Sequence, residues 1–411
     1  MMSKKSPQLR FEGFTDDWEE RKLGDYSENT FGGGTPKTGI DEYWTGDIPW
    51  IQSSDLKKEQ LYNVQPSKFI TDDAVKNSAT KLVPKNSIAI VTRVGVGKLA
   101  LLPFEYATSQ DFLSLSNLKV DKWFGIYSTY TMLQKELNNI QGTSIKGITK
   151  PELLKKKMRT PSLIDEQSKI GTLFKQLDDI IALHQSKLDL LKEQKKGFLQ
   201  KMFPKNGAKV PELRFAGFAD DWEERKLSDV ANHRGGTAIE KYFDKDGVYK
   251  VISIGSYGLN SQYVDQNIRA ISNEITDGRV VNSGELTMVL NDKTANGTII
   301  GRTLLVEKDN EYVINQRTEI ISPKENFDSN FAYTILNGPF REKVKRIVQG
   351  GTQIYVNYPA VSNLNLELPK IEEQQKIGSF FKQLDDTIAL HQRKLDLLKE
   401  QKKGFLQKMF V

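Results

Sequence analysis

The chain has 411 residues, enough for two or three domains that each bury a core. It contains no cysteine, which excludes disulfides, thiolate nucleophiles and thiolate metal sites, and its three histidines leave little material for a zinc site or a histidine base. The net charge of +6 is mild and no segment forms a basic tail, so charge permits a nucleic-acid partner without demonstrating one.

A short motif near the start of the chain recurs in its second half. LRFEGFTDDWEERKL at residues 9–23 returns as LRFAGFADDWEERKL at residues 213–227, and we call both copies the head motif.

The first variable region follows the first copy, and its pattern predicts an α+β domain. It opens with a glycine-rich turn at residues 32–35, has a Val- and Ile-rich stretch typical of strands at residues 86–102, and continues as a helix-like run at residues 124–140.

A long, nearly duplicated string follows each variable region. Residues 165–203 and 372–410 are identical at 33 of 39 positions. Apolar residues at alternating spacings of three and four predict a coiled-coil helix of about 55 Å at 1.5 Å per residue. The predicted seam consists of Ile170, Phe174, Leu177, Ile181, His184, Leu188 and Leu191 in the first helix, and Ile377, Phe381, Leu384, Ile388, His391, Leu395 and Leu398 in the second.

The second variable region repeats the order of the first with a different sequence. Its glycine turn is at residues 235–237, its strand-rich stretch at 283–306 and its helix-like run at 330–348. Ser109-Gln110 and Asn315-Gln316 occupy similar places, and Gly-Thr-Ser-Ile at residues 142–145 matches Gly-Thr-Gln-Ile at 351–354. A duplicated scaffold with unlike inserts suggests one task performed on two different targets.

The connections between the repeats predict how the long helices pair. The Pro- and Gly-containing linker PKNGAKVP is too short to run back along a helix, so an antiparallel pair related by a pseudo-twofold axis is favoured over a parallel pair. The predicted fold class is therefore α+β, with two target domains joined by an intramolecular antiparallel coiled coil. The predicted segments are 1–160 (first domain), 161–203 (central helix), 204–211 (linker), 212–362 (second domain) and 363–411 (distal helix).

Polar residues in the helices favour structural roles. A histidine in the seam more often fixes register or partner choice than it binds a metal or catalyses, and His184 could lie near His391. The carboxylate pairs Asp178-Asp179 and Asp385-Asp386 are expected at exposed positions. No Walker loop, GxSxG elbow, HExxH motif or metal-ligand spacing occurs, because GVGK at residues 95–98 lacks the flanks of a phosphate loop. We therefore expect no catalytic site and no metal site in this chain.

Several strings together resemble the specificity subunit of Type I restriction-modification enzymes. They are the pattern RFxGFxDDWExxKL, the turn GGGTPKT followed by EYWTGDIPWIQSSDL, the Gly-Thr-x-Ile segment, and LPKIEEQQKIGSFFKQLDDTIALHQ near the end. The resemblance covers nearly the whole chain in the right order. It is weaker in the second variable region, where DGVYKVISIGSYG replaces the DIPWI string. Before the first long helix, TPSLIDEQ at residues 160–167 also departs from LPKIEEQ, which precedes the second.

The resemblance implies a non-enzymatic, DNA-binding subunit. From the sequence itself we expect no membrane span, because no 18-residue apolar run occurs, and a cytoplasmic location, because MMSKKSPQLRF lacks the apolar core of a secretory signal. Each domain would recognise one half of a bipartite duplex target, and the helices would dock two adenine methyltransferase subunits and, through them, restriction/translocase subunits. S-adenosylmethionine, ATP and Mg²⁺ would then belong to the partner subunits. Two alternatives remain open: a stand-alone coiled-coil DNA-binding regulator, and a protein-interaction scaffold without a nucleic-acid role.

Side chains that hydrogen-bond bases or phosphates are candidates for DNA contact in each domain. In the first domain they are Lys37, Arg93, Lys98, Gln110, Ser144 and Lys146, and in the second Arg234, Lys293, Arg302, Gln316, Arg317, Gln353 and Tyr355. Two further basic clusters could contact phosphates or form solvated helix faces. These are Lys155, Lys156, Lys157 and Arg159, and Arg341, Lys343, Lys345 and Arg346.

Overall fold

The computed structural model describes residues 6–139, 147–205, 207–293 and 295–410. The chain divides into two compact units. The first comprises residues 1–185 and 393–411, and the second comprises residues 186–392. Each unit therefore contains a head motif and a variable region, together with the first part of one long helix and the last part of the other.

The first unit contains strands β1 to β9 and the helices α1 to α3, and the long helix α4 begins in it. The strands are β1 (Glu19–Lys22), β2 (Ser27–Gly32), β3 (Ile48–Ile51), β4 (Lys68–Ile70), β5 (Ser87–Val91), β6 (Leu99–Leu102), β7 (Ala107–Thr108), β8 (Phe112–Leu118) and β9 (Lys157–Thr160). The helices are α1 (Asp72–Lys76), α2 (Lys122–Asn139), α3 (Lys150–Leu154) and α4 (Ile164–Lys201), with 3₁₀ turns at Leu23–Tyr26 and Asp41–Trp44.

The second unit contains strands β10 to β22, and the second long helix begins in it. The strands are β10 (Glu223–Lys226), β11 (Ala231–Gly235), β12 (Tyr249–Ile252), β13 (Arg269–Ala270), β14 (Val280–Val281), β15 (Leu286–Val289), β16 (Asn291–Asp292), β17 (Thr303–Leu305), β18 (Tyr312–Ile314), β19 (Thr318–Pro323), β20 (Gln349–Gly350), β21 (Ile354–Tyr355) and β22 (Asn365–Leu368). The helices are α5 (Leu227–Val230), α6 (Glu274–Asp277), α7 (Ser329–Asn337), α8 (Pro339–Lys345), α9 (Tyr358–Ser362) and α10 (Ile371–Met409), with 3₁₀ turns at Glu240–Tyr242 and Ile254–Ser256.

The central sheets of the two units have the same topology. One is an antiparallel sheet of order β2-β8-β5-β6, and the other is an antiparallel sheet of order β11-β19-β15-β17. Every residue of β5 is buried, because Ile88 and Ile90 pack into one apolar cluster while Ala89 and Val91 pack into another. Smaller sheets and short helices complete each α+β unit, as the sequence predicts.

The helix that follows the central sheet differs between the units. In the first unit it is continuous over α2. In the second unit the predicted run at residues 330–348 is instead two helices, because Pro339 lacks the N–H that would continue α7. The first turns of α2 and α7 each pack against a glycine of a long helix. A Cβ on Gly171 would lie 2.4 Å from the Phe124 nitrogen, and one on Gly378 would lie 2.6 Å from the Phe331 nitrogen.

The long helices pair antiparallel within each unit, as predicted. In the first unit, the rings of Phe174 and Phe410 lie 5.5 Å apart, while Asp178, further along α4, pairs with Lys402, which precedes Phe410. In the second unit, Phe381 packs against Phe203 and Asp385 pairs with Lys195 in the same way. All of the predicted seam residues, including both histidines, are buried or half-buried.

The expectation that both carboxylate pairs are exposed is wrong for Asp178 and Asp385. Lys402 Nζ lies 2.5 Å from Asp178, and Lys195 Nζ lies 2.5 Å from Asp385. The Tyr127 hydroxyl also donates to Asp178, at 2.6 Å. The periodicity of one helix cannot show these partners, because the two lysines lie on the opposite long helix and Tyr127 lies on α2.

The head motif connects the two long helices. Arg10 donates to both carboxylate oxygens of Glu166 in the first turn of α4, at 2.6 and 2.8 Å, and the Leu9 N–H donates to the Lys408 carbonyl near the end of α10. The second head motif makes the same contacts: Arg214 donates to both carboxylate oxygens of Glu373 (2.7 and 2.7 Å), and the Leu213 N–H donates to the Lys201 carbonyl (2.8 Å). Each head motif therefore holds the start of one long helix and the end of the other.

Further contacts of the head motif also occur twice. The ammonium group of Lys169 lies 4.8 Å from the ring centre of Phe14, and that of Lys376 lies 4.9 Å from the ring centre of Phe218. The strand at the end of each motif pairs antiparallel with the strand that precedes a long helix, β1 with β9 and β10 with β22. The head motifs therefore contact the long helices at the same positions in both units.

Within the described residues, no helix combines the length and apolarity needed to cross a bilayer.

The Arg10–Glu166 pair should be critical for stability. Glu166 is 1% exposed, so Arg10→Ala leaves a buried carboxylate without its cation and should cost about 3–5 kcal/mol in the free energy of unfolding. Arg21, in the same motif, forms an ion pair with half-exposed Glu19, and Arg21→Ala should cost only about 0–1 kcal/mol. Urea unfolding of both variants measures the difference, and equal losses would contradict this account.

Candidate nucleic-acid interface

Three chain segments meet at the end of β5 in the first unit. The Thr92 N–H donates to the Asp111 carbonyl at 2.7 Å, and the Thr92 carbonyl accepts from the Ile148 N–H at 2.9 Å. The end of the central strand thus binds the segment before β8 through its N–H and the segment before α3 through its carbonyl. We call this arrangement the junction.

The second unit has the same junction at the end of β15. The Leu290 N–H donates to the Arg317 carbonyl at 3.0 Å, and the Leu290 carbonyl accepts from the Val356 N–H at 2.9 Å. Ile148 therefore corresponds to Val356. This correspondence is one residue out of step with the match of the two Gly-Thr-x-Ile strings, so the strings alone misalign the two units here.

The predicted glycine turns pack against each junction. A Cβ on Gly33 would lie 1.9 Å from the Ser109 carbonyl oxygen, and a Cβ on Gly236 would lie 2.0 Å from the Asn315 carbonyl oxygen. Only glycine permits this approach, which explains why both turns contain it. Gln110 and Gln316 follow these two carbonyls and are both exposed.

The structure brings Arg93 and Gln110 together at the first junction. The exposed Arg93 guanidinium donates to the Gln110 carbonyl at 3.1 Å and lies 3.5 Å from Asp111. Lys98 is half-buried and donates to the Ser53 carbonyl at 2.8 Å, whereas Lys37 is exposed beyond the glycine turn. Ser144 and Lys146 lie outside the described residues.

In the second unit, Arg317 and Tyr355 lie at the junction beside Gln316, and all three are exposed. Tyr355 pairs with Asn291 in the small sheet of β16, β21 and β20, which also places Lys293 and Gln353 nearby, just after β16 and just before β21. Of the predicted contacts, Gln316, Arg317 and Tyr355 therefore lie in the segments that form this junction, and Lys293 and Gln353 lie next to strands of the small sheet.

Arg234 and Arg302 have partners within the protein. Arg234 donates to Glu285 at 2.9 Å, and Arg302 donates to the Thr298 carbonyl at 2.8 Å and the Ser261 hydroxyl at 2.9 Å. Burial lowers the pKa of Arg302. Through these contacts both arginines stabilise the fold. For these two, as for every residue of the predicted set, DNA contact stays a prediction.

Arg341 belongs to the second basic cluster, which was predicted to contact phosphates or to form a solvated helix face. Its own position fits neither prediction. Its guanidinium is buried and donates to the carbonyls of Ile300, Gly297 and Thr298, at 2.7–2.9 Å. Burial lowers the pKa of Arg341 to about 10. Arg346 is exposed. In the other cluster, Lys156 pairs with Glu136, and Lys157 pairs with Glu20 at 2.7 Å.

Three polar side chains beside the predicted contacts are not among the residues predicted from the sequence. Lys150, in α3, lies close to Gly32, and its pKa is lowered by burial and by the charge of Arg93. The Thr35 hydroxyl donates to Gln110 at 2.7 Å, and Glu240 accepts from Gln316 at 2.9 Å. The position of Thr35 at the end of the glycine turn is a usable sequence signal, whereas no sequence signal marks Glu240.

The duplicated frame and the paired long helices define a protein of two equivalent α+β units. The profile of the Type I restriction modification DNA specificity domain matches residues 15–193 and again residues 219–400. The chain belongs to this family, and it is a Type I restriction-modification specificity subunit.

Two relatives from Methanocaldococcus jannaschii are similar along nearly their whole length. The Type I restriction enzyme MjaIX specificity subunit is 25% identical, with 96% of this chain and 92% of the relative covered. The MjaVIII specificity subunit is 24% identical, with 95% of this chain and 91% of the relative covered.

Solved structures share the fold. The S subunit of a Type I restriction-modification system from M. genitalium superimposes with a TM-score of 0.66 at 14% identity, covering 99% of each chain. A chain from a structure that addresses complex assembly and conformational transition of the type I R-M system gives a TM-score of 0.51 at 14% identity, covering 95% of this chain and 97% of the other.

Arg341 and Arg346 provide a matched pair for testing which arginines support the fold. Arg341→Ala leaves three carbonyls without a charged donor and should cost about 3 kcal/mol of unfolding free energy. Arg346→Ala removes the same charge from the surface and should change it by less than about 0.5 kcal/mol. Urea unfolding measures both, and a large loss in Arg346→Ala alone would reverse the assignment.

Proposed function

We propose that this chain is the DNA recognition subunit of a Type I restriction-modification complex and that each unit recognises one half of a bipartite target. The chain itself is non-catalytic. It docks two adenine methyltransferase subunits, and through them restriction/translocase subunits. These partners bind S-adenosylmethionine, ATP and Mg²⁺, and the complex acts in the cytoplasm.

One observation carries this proposal: the two junctions share a backbone frame but differ in their side chains. Asp111 and Arg317 occupy the same backbone position, yet they carry opposite charges. Base edges in the major groove are distinguished by the donors and acceptors that face them. Two equivalent frames with different side chains are therefore suited to two different short sequences.

The surface of the paired helices supports docking of two partners. In the first unit, Leu183 and Leu397 are 67% and 58% exposed; Leu183 lies five residues after Asp178 on α4, and Leu397 lies five residues before Lys402 on α10. In the second unit, Leu190 and Leu390 are both 58% exposed and are related in the same way to the pair of Lys195 and Asp385. Each unit therefore offers an equivalent apolar pair, called here its leucine seat.

Methylation should require both this chain and a methyltransferase subunit. When the two are mixed with S-adenosylmethionine and DNA, adenine N6 methylation should appear only in the mixture. Sequencing of the modified DNA should give two short specific blocks separated by a gap, with centres about one helical turn apart. A single continuous motif would contradict the proposal. Tight operator binding without any partner would instead favour the stand-alone regulator.

Introducing charged residues at one leucine seat should prevent one methyltransferase subunit from docking, and altering both seats should prevent both from docking. Leu183→Glu with Leu397→Glu should reduce the methyltransferase stoichiometry from two to one, and adding Leu190→Glu with Leu390→Glu should abolish binding. Burial of two leucines contributes about 3–6 kcal/mol, so the affinity of the altered seat should fall at least about 100-fold.

The matched control for the seats is Gln176→Glu, which adds charge at an exposed polar position of α4. It should leave both partners bound, as measured by sedimentation or by native mass spectrometry. Unchanged stoichiometry in the seat variants would contradict docking at these leucines.

A further inference from the structure

Gln110 and Gln316 occupy the same position in two otherwise different interfaces. Each follows the residue whose carbonyl lies against the glycine turn, and each precedes the residue whose carbonyl accepts from the end of the central strand. The residues on either side differ: Ser109 and Asp111 in the first unit, Asn315 and Arg317 in the second. The exposed glutamine is the side chain that both frames share.

Each glutamine amide is held by one hydrogen bond from the segment that begins at the glycine turn. In the first unit the Thr35 hydroxyl donates to Gln110 Oε1 at 2.7 Å. In the second unit Gln316 Nε2 donates to Glu240 at 2.9 Å. Among the described residues, at least one N–H and one oxygen lone pair of each amide have no further partner. A glutamine with these two groups free can form the bidentate contact that adenine presents in the major groove, to N7 and N6.

Resting on the proposed function, we propose that Gln110 and Gln316 each read the adenine of an A·T pair that both half-sites contain. A complex that methylates adenine through both units requires an adenine in each half-site, whatever else the half-sites contain. The glutamine reads this adenine while it is stacked in the duplex, before the methyltransferase takes it out of the stack to reach N6. The side chain common to both readers then recognises the base common to both targets. The neighbouring residues, which differ, recognise the bases that differ.

Glu240 positions Gln316 without contacting the base. Its carboxylate accepts from Asn315 Nδ2 at 3.0 Å as well as from Gln316, and the hydrogen bond from Asn315 lowers the pKa of Glu240, so it is charged at neutral pH. A carboxylate only accepts hydrogen bonds, so it fixes which end of the amide is the nitrogen. Gln316 then presents one N–H and its oxygen. Guanine, with acceptors at both N7 and O6, would place O6 against that oxygen and be rejected.

The test uses the full chain bound to its methyltransferase subunits, without S-adenosylmethionine, and duplexes carrying the target found by sequencing modified DNA. Replacing one adenine at a time in the half-site of the second unit by 7-deazaadenine removes the N7 acceptor. At one position, wild-type affinity should fall at least about fivefold, as expected for loss of a bidentate contact. Gln316→Ala should lose as much on the normal duplex and nothing more on that 7-deaza duplex.

Gln110→Ala is the matched control. It should show the same pattern in the first half-site and respond normally to 7-deazaadenine in the second. If every 7-deazaadenine substitution costs Gln316→Ala as much as it costs the wild type, Gln316 does not read adenine, although the proposed function stands. If the wild-type complex does not prefer its own target to unrelated DNA, the proposed function fails, and this inference fails with it.

Glu240→Gln tests the positioning role. An amide in place of the carboxylate can donate or accept, so the orientation of Gln316 is no longer fixed. Discrimination between adenine and guanine at the position identified with 7-deazaadenine should fall by about fivefold or more, while affinity for the adenine duplex changes less. Unchanged discrimination would overturn the role of Glu240. A role confined to stability would lower the unfolding temperature without moving this ratio.

Discussion

The buried ion pair between the head motif and a long helix, Arg10 with Glu166 and again Arg214 with Glu373, is the constraint on which the rest of the structure depends. A bidentate guanidinium–carboxylate pair has a fixed geometry, and a carboxylate this buried is costly to leave unpaired. One residue before each arginine, the backbone bonds to the end of the other long helix. The head motif therefore sets which helix ends meet, and each unit is built around that meeting.

This constraint accounts for the pattern of likeness and difference along the chain. The strings that are nearly identical are the ones that contact each other: the head motif, the start of one helix and the end of the other. The variable regions contact the same frame at matched points, such as the backbone of Phe124 and of Phe331 against a helix glycine. A second kind of constraint operates at the junctions, where a glycine turn and three backbone segments are fixed while the side chains around them are not.

The sequence predicts the frame better than the interface. Heptad spacing, the short linker and the strand-rich stretches suffice to predict paired helices, their antiparallel direction and two α+β units, because these follow from local pattern and connectivity. Partners across space are not encoded locally. Asp178 was therefore expected at an exposed position although Lys402 pairs with it, and Arg341 was placed on the surface although three carbonyls hold it inside. For the same reason the sequence cannot distinguish Arg317 from Arg234. Arg317 is exposed at a junction, whereas Arg234 binds Glu285.

The central claim is that two independent readers are mounted on one duplicated frame. Gly33→Ala tests it most directly, because the added methyl group would press on the Ser109 carbonyl at the first junction and on nothing in the second unit. The measurement is the methylation motif of DNA modified by the variant complex. The account predicts relaxed or altered bases in one block, with the other block and the gap length unchanged. A change in both blocks, or in the gap, would contradict it.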